Sequence, residues 1–185
     1  IDLGILYPLI IVPIGIVGAS NGFNMLAGYN GLEAGMGIII ISTMSIVAYY
    51  TGSSWISMIG AIIVLSLIAF IYFNWYPAKI LPGDILTYSL GSLVAAGVIV
   101  GNMERAGVIV LTPFIIEFFL KARSKFKASC LGKLRRDGKL NPPYGKRIYS
   151  LTHLILQLHP TEKQVTIAMI GVTILFSLIP FLLKF

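Results

Sequence analysis

Residues 56–73 read Ile56-Ser-Met-Ile-Gly-Ala-Ile-Ile-Val-Leu-Ser-Leu-Ile-Ala-Phe-Ile-Tyr-Phe73, a run without one charged side chain. Its length and apolarity approach the roughly 20 residues that carry a helix across a bilayer core about 30 Å thick. Working outward, five more apolar runs follow: roughly Ile5–Ser20, Gly35–Tyr50, Ile85–Val100, Gly107–Leu120 and Gln164–Leu183. The composition agrees, with 57% hydrophobic and 11% charged residues and a mean hydropathy of +0.89. A soluble domain carries about 25% charged residues. So few charges cannot clothe a water-soluble sphere of 185 residues, and disorder requires the opposite, low hydrophobicity. The expected fold is an all-α integral membrane protein of about six transmembrane helices, a single polytopic domain over residues 1–185.

One cysteine, Cys130, excludes an internal disulfide framework and a Cys-rich zinc site. The first span has no basic leader, only Asp2, and does not read as a cleaved signal peptide. Pro8, Pro13, Pro113 and Pro180 fall in or at the ends of spans, where neighbouring helices can satisfy the freed backbone groups. The first residue is Ile1 rather than Met, which reads as the start of a piece of something longer.

The 14 lysines and arginines are unevenly spread. Lys79 and eleven cations between residues 121 and 163 fall on one face, leaving only Arg105 and Lys184 on the other. Basic loops are cytoplasmic, so segments 20–34, 74–84 and 121–163 are expected inside and both termini outside. Most of these cations set orientation and touch anionic lipid head groups. Within the long loop, Arg136-Asp137-Gly138-Lys139 predicts a hairpin with a type I′ turn. Ile148, Leu151, Ile155 and Leu158 recur at helical spacing, predicting an amphipathic helix over Lys146–Leu158 on the inner leaflet. A buried strand through Leu154–Leu158 is the alternative.

Polar residues cluster where lipid should be. The first cluster is Asn21-Gly-Phe-Asn24-Met-Leu-Ala-Gly28-Tyr-Asn30-Gly-Leu-Glu33-Ala-Gly35. Asn21, Asn24 and Gly28 recur at helical spacing, which suits either close helix packing or a broken-helix site whose amides supply oxygen ligands. The second is Asn74-Trp-Tyr-Pro-Ala-Lys-Ile-Leu81-Pro-Gly-Asp84. Asp84 can cap the fourth span, and a carboxylate at the mouth of a span also marks a functional site. Magnesium takes one or two carboxylates together with substrate phosphates, and Asp84 with the Asn24 carbonyl would be a sparse shell of that kind. The third cluster is the basic loop, whose cations suit a pyrophosphate. Glu117 stands four residues before Lys121 and reads as an ion pair along a helix. His153 and His159 read as interfacial or loop residues.

Other chemistries find no support. There is no Walker P-loop, no HExxH, no persuasive Ser/His/Asp triad and no Asn-x-Ser/Thr sequon. The basic loop lacks the aromatic interleaving of a nucleic-acid platform, so lipid and phosphate are the better partners.

The two motifs Asn21–Gly35 and Asn74–Asp84, in this order and on one expected face, resemble the polyprenyl-phosphate N-acetylhexosamine-1-phosphate transferases. The dolichyl-phosphate N-acetylglucosamine-1-phosphate transferase branch is the most similar. The bacterial peptidoglycan branch typically has aspartates where this chain has Ala27 and Asn30. Pro160-Thr-Glu162-Lys163 resembles that family's end of the long cytoplasmic loop. The resemblance implies transfer of N-acetylglucosamine-1-phosphate from UDP-N-acetylglucosamine to a membrane dolichyl phosphate, releasing UMP, as the first lipid-linked step of N-glycosylation. It implies magnesium, or manganese, held by Asn24 and Asp84. Gly28 and Asn30 would contact the uracil, with Leu81 against it where some members carry an aromatic ring. Lys125 and Lys127 would hold the pyrophosphate, standing where the family has arginines.

Family members are about twice this long and carry an aspartate-rich motif on an earlier span, which helps bind or activate the acceptor phosphate. Upstream of Asn21 this chain offers only Asp2, so the acceptor-activating residues are unassigned. The chain is expected to be the C-terminal half of such an enzyme, completed by an N-terminal half, with a homodimer compatible. An archaeal plasma membrane or the endoplasmic reticulum is the expected location. The competing classes are a transporter or channel fragment, with Asn24 and Asp84 lining an ion path, and a non-catalytic membrane subunit. The first lacks charges deep in its spans and an internal repeat.

Overall fold

The computed structural model describes residues 4–185; Ile1 and Asp2, invoked above for orientation and as the lone upstream acid, lie outside them. A π-helical turn, Tyr7–Ile11, runs into α1 (Val12–Met25). Then come α2 (Leu32–Tyr50), α3 (Ser54–Asn74) and α4 (Gly83–Val100). The short helices α5 (Glu104–Val110) and α6 (Thr112–Ala122) follow. After the strands β1 (Lys133–Leu134) and β2 (Leu140–Asn141) come α7 (Leu151–Leu156) and the long α8 (Glu162–Leu182).

Five of these segments are long and apolar enough to cross a membrane: Tyr7–Met25, Leu32–Tyr50, Ser54–Asn74, Gly83–Val100 and Glu162–Leu182. The run expected as a sixth span, Gly107–Leu120, is instead divided between α5 and α6 at Leu111. Pro113 explains the division, because it offers no N–H to the carbonyl four residues back. The first span also continues past Ser20, through Asn21 and Asn24, to Met25. It can do so because Asn21 Nδ2 donates to the Val17 carbonyl of its own helix, leaving fewer polar groups to satisfy in lipid.

α2 is the axis of the bundle. In its most apolar stretch 72% of residues are buried, against 11% in α3, so α3 faces lipid and α2 does not. α2 packs against α3, α4 and α8, while α1 lies along α4. Polar side chains within the spans close on their own helices: Thr43 Oγ1 donates to Ile39 O and Ser45 Oγ to Ile41 O. At the α1–α4 contact the two backbones themselves approach closely. A Cβ on Gly91 would overlap the Ala19 carbonyl and the Ser20 Cα, so the two backbones meet there as small residues permit in membranes.

The bundle has two ends. Loops 26–31, 75–82 and 123–161 gather at one. At the other, Tyr7 Oη donates to Glu104 and Arg105 Nη1 to the Phe185 carbonyl. In the long loop the expected hairpin forms, pairing Lys133 with Asn141 and Leu134 with Leu140. Its turn differs from type I′. Gly138 has φ +77° while Asp137 stays out of the left-handed region, and Arg135 N donates to Lys139 O around three loop residues. That is a type I turn with a glycine bulge, in which only one residue needs positive φ.

The helix expected over Lys146–Leu158 is confined to Leu151–Leu156. Its buried side is Thr152, His153 and Leu156, while Leu154 and Leu158 are exposed. Leu151 and Ile155 of the expected apolar spacing are half-buried against the core, and polar partners fix the start of the helix. Ser150 caps the helix, and Glu117 Oε2 accepts from Leu151 N at 2.7 Å.

Gly91→Ala is expected to force α1 and α4 apart and cost about 1–3 kcal/mol, lowering the thermal midpoint in detergent. Gly171→Ala, at a glycine with nothing within 4 Å, is expected to leave it unchanged. Equal midpoints for both variants and the wild type would remove the close-approach account.

Candidate active site

Loop 26–31 connects α1 to α2, and three of its N–H groups are held by side chains from elsewhere. Gly28 N donates to Glu33 Oε1 at 2.6 Å, Asn30 N to Glu162 Oε1 at 2.8 Å, and Gly31 N to Asn74 Oδ1 at 3.1 Å. Thr166 Oγ1 closes on the Asn30 carbonyl at 3.1 Å. Asn74 is fully buried and its Nδ2 donates to Ile80 O, so one side chain ties loop 26–31 to loop 75–82. Gly31 sits at φ +78°, with the Trp75 ring 2.6 Å from where a Cβ would stand. No other residue fits there. Lys163 lies 5.1 Å over the Tyr76 ring, tying loop 75–82 to the start of α8 as well.

These connections shape a cavity of about 310 Å³ lined by Asn24, Ala27, Gly28, Tyr29, Asn30, Glu33, Asn74, Leu81, Pro82, Gly83, Asp84 and Thr87. It gathers five of the residues expected from sequence: Asn24, Gly28, Asn30, Leu81 and Asp84. Asn24 and Asp84 face each other, with Nδ2 3.4 Å from Oδ1. Asp84 is not a helix cap. Pro82 occupies that position, with no side-chain cap bond, which leaves the exposed Asp84 carboxylate to a ligand. Asn21, Asn24 and Gly28 do not share a helical face, because α1 ends at Met25.

Lys125 and Lys127 do not line the cavity. They are exposed in the tight turn after α6, where Lys125 and Phe126 both take positive φ. The segment that follows does reach the site. Tyr29 Oη donates to the Cys130 carbonyl at 3.0 Å and accepts from Gly132 N at 2.9 Å. Leu131 lies over Gly28, 3.1 Å from its would-be Cβ. Burial pushes the Tyr29 phenol up and the Cys130 thiol up to about 11. A thiol so placed stays protonated and unreactive, and it donates to the Ala27 carbonyl at 3.1 Å.

Behind this segment lies a buried polar network that the spacing of charges did not signal. Thr152 Oγ1 donates to the Cys130 carbonyl, and Lys121 Nζ to the Ala128 carbonyl. Glu117 and Lys121 are 3.9 Å apart, at the limit of an ion pair, and each has a shorter bond to the loop backbone. His153 is fully buried. Its Nδ1 accepts from Tyr149 N, so Nε2 carries the proton toward the Ser129 carbonyl at 2.9 Å. His159 is a loop residue. Sequence reasoning also gave no site role to Glu33, Asn74, Tyr29 or Thr87. An acid at the head of an uncharged span was the one available signal, for Glu33.

Residues 1–102 match the model of Glycosyl transferase family 4. The chain belongs to that family. Both motifs that build the cavity lie inside the matched residues, and loop 121–163 lies beyond them. A Saccharolobus solfataricus protein is 39% identical over 187 residues, covering all of this chain and 58% of its own length. It is provisionally named UDP-N-acetylglucosamine–dolichyl-phosphate N-acetylglucosaminephosphotransferase. A Sulfolobus acidocaldarius protein with the same provisional name is 35% identical over 182 residues, covering 97% of this chain and 55% of its own. A phospho-N-acetylmuramoyl-pentapeptide-transferase of Halalkalibacterium halodurans is 37% identical over 118 residues, covering 63% of this chain and 36% of its own. The chain thus spans a little over half the length of these first two relatives. Family membership and five apolar helices of spanning length make it an integral membrane protein.

Burial holds the His153 imidazole below its ordinary value, so the folded loop favours the neutral ring. An unfolded imidazole gains its proton near pH 6.5. The loop's stability is therefore complete above that pH and falls as the pH drops from there toward the lower folded value. Amide exchange of residues 144–153, corrected for intrinsic rates, is expected to be faster at about pH 5.5 than at about pH 7.5. His153→Gln is expected to flatten that dependence, and an equally steep dependence in the variant would assign it elsewhere.

Proposed function

We propose that this protein acts in the magnesium-dependent transfer of N-acetylglucosamine-1-phosphate from UDP-N-acetylglucosamine to a dolichyl-type phosphate, releasing UMP. The observation that carries the reading is the convergence of Asn24, Gly28, Asn30, Leu81 and Asp84 on one cavity at the polar end of a membrane bundle. The names of the two relatives support the choice of donor and acceptor. Phosphoryl transfer asks a protein mainly for in-line positioning and charge neutralisation. An oxygen of the lipid phosphate attacks the β-phosphorus of the sugar nucleotide. The bond from that phosphorus to the oxygen bridging to the α-phosphate breaks, and its electron pair leaves with UMP. The sugar–phosphate bond is untouched.

The donor set fits magnesium, and manganese as a substitute. Asp84 offers a hard, exposed carboxylate, and rotation of the Asn24 amide would turn Oδ1 toward it. Among the described residues no group of three or more His, Cys, Asp or Glu could hold a metal. Two protein oxygens, with the rest from phosphates and water, suit the way magnesium is usually bound with a nucleotide. Bound there, the ion would offset the charge of the pyrophosphate. Gly28 and Asn30 would meet the uracil and Leu81 its face, while Lys125 and Lys127 would approach the phosphates from the loop that docks on Tyr29. The concentration of cations at this end supports a cytoplasmic site, where a soluble nucleotide meets a lipid phosphate of the inner leaflet. The archaeal relatives favour a plasma membrane.

In vesicles of the full-length protein with UDP-N-acetylglucosamine and dolichyl phosphate, Asp84→Asn is expected to lower magnesium-dependent UMP release at least 100-fold. Asn30→Ala is expected to raise the KM for the nucleotide sugar about 10-fold, the worth of roughly one hydrogen bond, with kcat largely kept. UMP release undiminished in Asp84→Asn would return Asp84 to a structural role.

A further inference from the structure

The hydrogen bonds that hold the cavity together leave few groups free to meet a ligand. The Gly28 N–H is taken by Glu33 and the Ala27 carbonyl by the Cys130 thiol. The Asn30 N–H and carbonyl go to Glu162 and Thr166. Both ends of the Asn74 amide are occupied, Tyr29 Oη both donates and accepts, and Thr87 Oγ1 closes on the Asp84 carbonyl. Away from the Asn24–Asp84 pair, two side-chain groups remain uncommitted: the Asn30 amide and Glu33 Oε2. Glu33 is 3% exposed, and Oε2 is buried without a hydrogen-bond partner. Its carboxylate cannot turn away to find one, because Oε1 is fixed by the 2.6 Å bond from Gly28. A buried acceptor left unpaired is costly, and Glu33 is among the residues that line the cavity.

We propose that Glu33 reads the base of the nucleotide: Oε2 accepts a hydrogen bond from the N3–H of uracil, while the Asn30 amide meets a ring carbonyl beside it. The proposal rests on the uridine-nucleotide reading of the cavity given above. The chemistry favours uracil because N3–H is the one donor on that edge of the ring. Cytosine presents an unprotonated N3 at the same point, setting an acceptor against an acceptor. A site built on a paired donor and acceptor rejects the wrong partner by leaving its own buried atoms unsatisfied. Glu33 thereby does two things at once, ordering loop 26–31 through one oxygen and selecting the base through the other.

Binding of UMP, N3-methyl-UMP and CMP to the full-length protein in nanodiscs with magnesium tests this by calorimetry. The wild type is expected to bind UMP at least 10-fold more tightly than N3-methyl-UMP or CMP. Glu33→Gln keeps an acceptor for the Gly28 N–H and places an amide donor where Oε2 stood. It is expected to weaken UMP at least 10-fold and to narrow or invert the preference over CMP. A purely structural role would weaken all three by one factor, and that result would overturn the proposal. So would equal binding of UMP and N3-methyl-UMP by the wild type, a comparison that needs no variant to fold. A wild type that binds none of the three would instead overturn the nucleotide reading itself.

Discussion

Everything at the polar end depends on how α1 and α4 lie against each other, and that is decided at Gly91. The missing side chain lets the α4 backbone rest on Ala19 and Ser20 of α1. Beyond that contact α1 runs on to Asn24 and α4 runs back to Asp84, and their side chains meet at 3.4 Å. A helix rises about 1.5 Å per residue, so a slip of one residue would undo their pairing. The cavity is in this sense a product of packing in lipid, set well below the surface on which the chemistry is placed.

A second layer of control comes from polar bonds that cross long stretches of chain. Glu162 reaches loop 26–31 from α8 and Asn74 from α3, and Glu33 closes the loop locally from the start of α2. On the far side, Tyr29 holds the backbone at Cys130 and Gly132, and Thr152 holds Cys130 in turn. Leu151 hangs on Glu117. Loop 121–163 is thus fastened to the helices through backbone carbonyls and amides, while most of its cations remain on the surface. Its charge and its attachment are carried by different residues.

That division explains what could be read from the sequence. The membrane fold was legible because residues 56–73 state it locally, and composition repeats the statement. Around the cavity, Asn24 and Asp84 stood out as polar residues beside apolar runs, whereas Gly28, Asn30 and Leu81 were given their ligand roles only through the family resemblance. The break at Leu111 was missed, because apolarity suggested one span in which Pro113 would be tolerated. The network behind the loop was hidden. Glu117 and Lys121 invited pairing with each other because they are four residues apart, yet their shorter bonds go to Leu151 and Ala128. His153 sat among interfacial-looking neighbours and proved fully buried. For α7, Leu151 and Ile155 of the expected apolar pattern pack against the core, while Leu158 lies exposed and Ser150 and Glu117 fix the start of the helix. Side-chain bonds to distant backbone, such as Glu117 to Leu151 and His153 to Ser129, leave no periodic trace.

The fastening of loop 26–31 has one more consequence. Many nucleotide-binding proteins wrap phosphate in a nest of free backbone N–H groups. Here the N–H groups of Gly28, Asn30 and Gly31 are already occupied, two of them by carboxylates. The loop therefore presents no main-chain cradle for an anion, and the negative charge stationed behind it would repel one. On the proposed reading, a diphosphate arriving at this cavity would be met by positive charge from a divalent ion and from lysines on a different loop. Such a site is shaped before its ligand arrives but is electrically complete only afterwards.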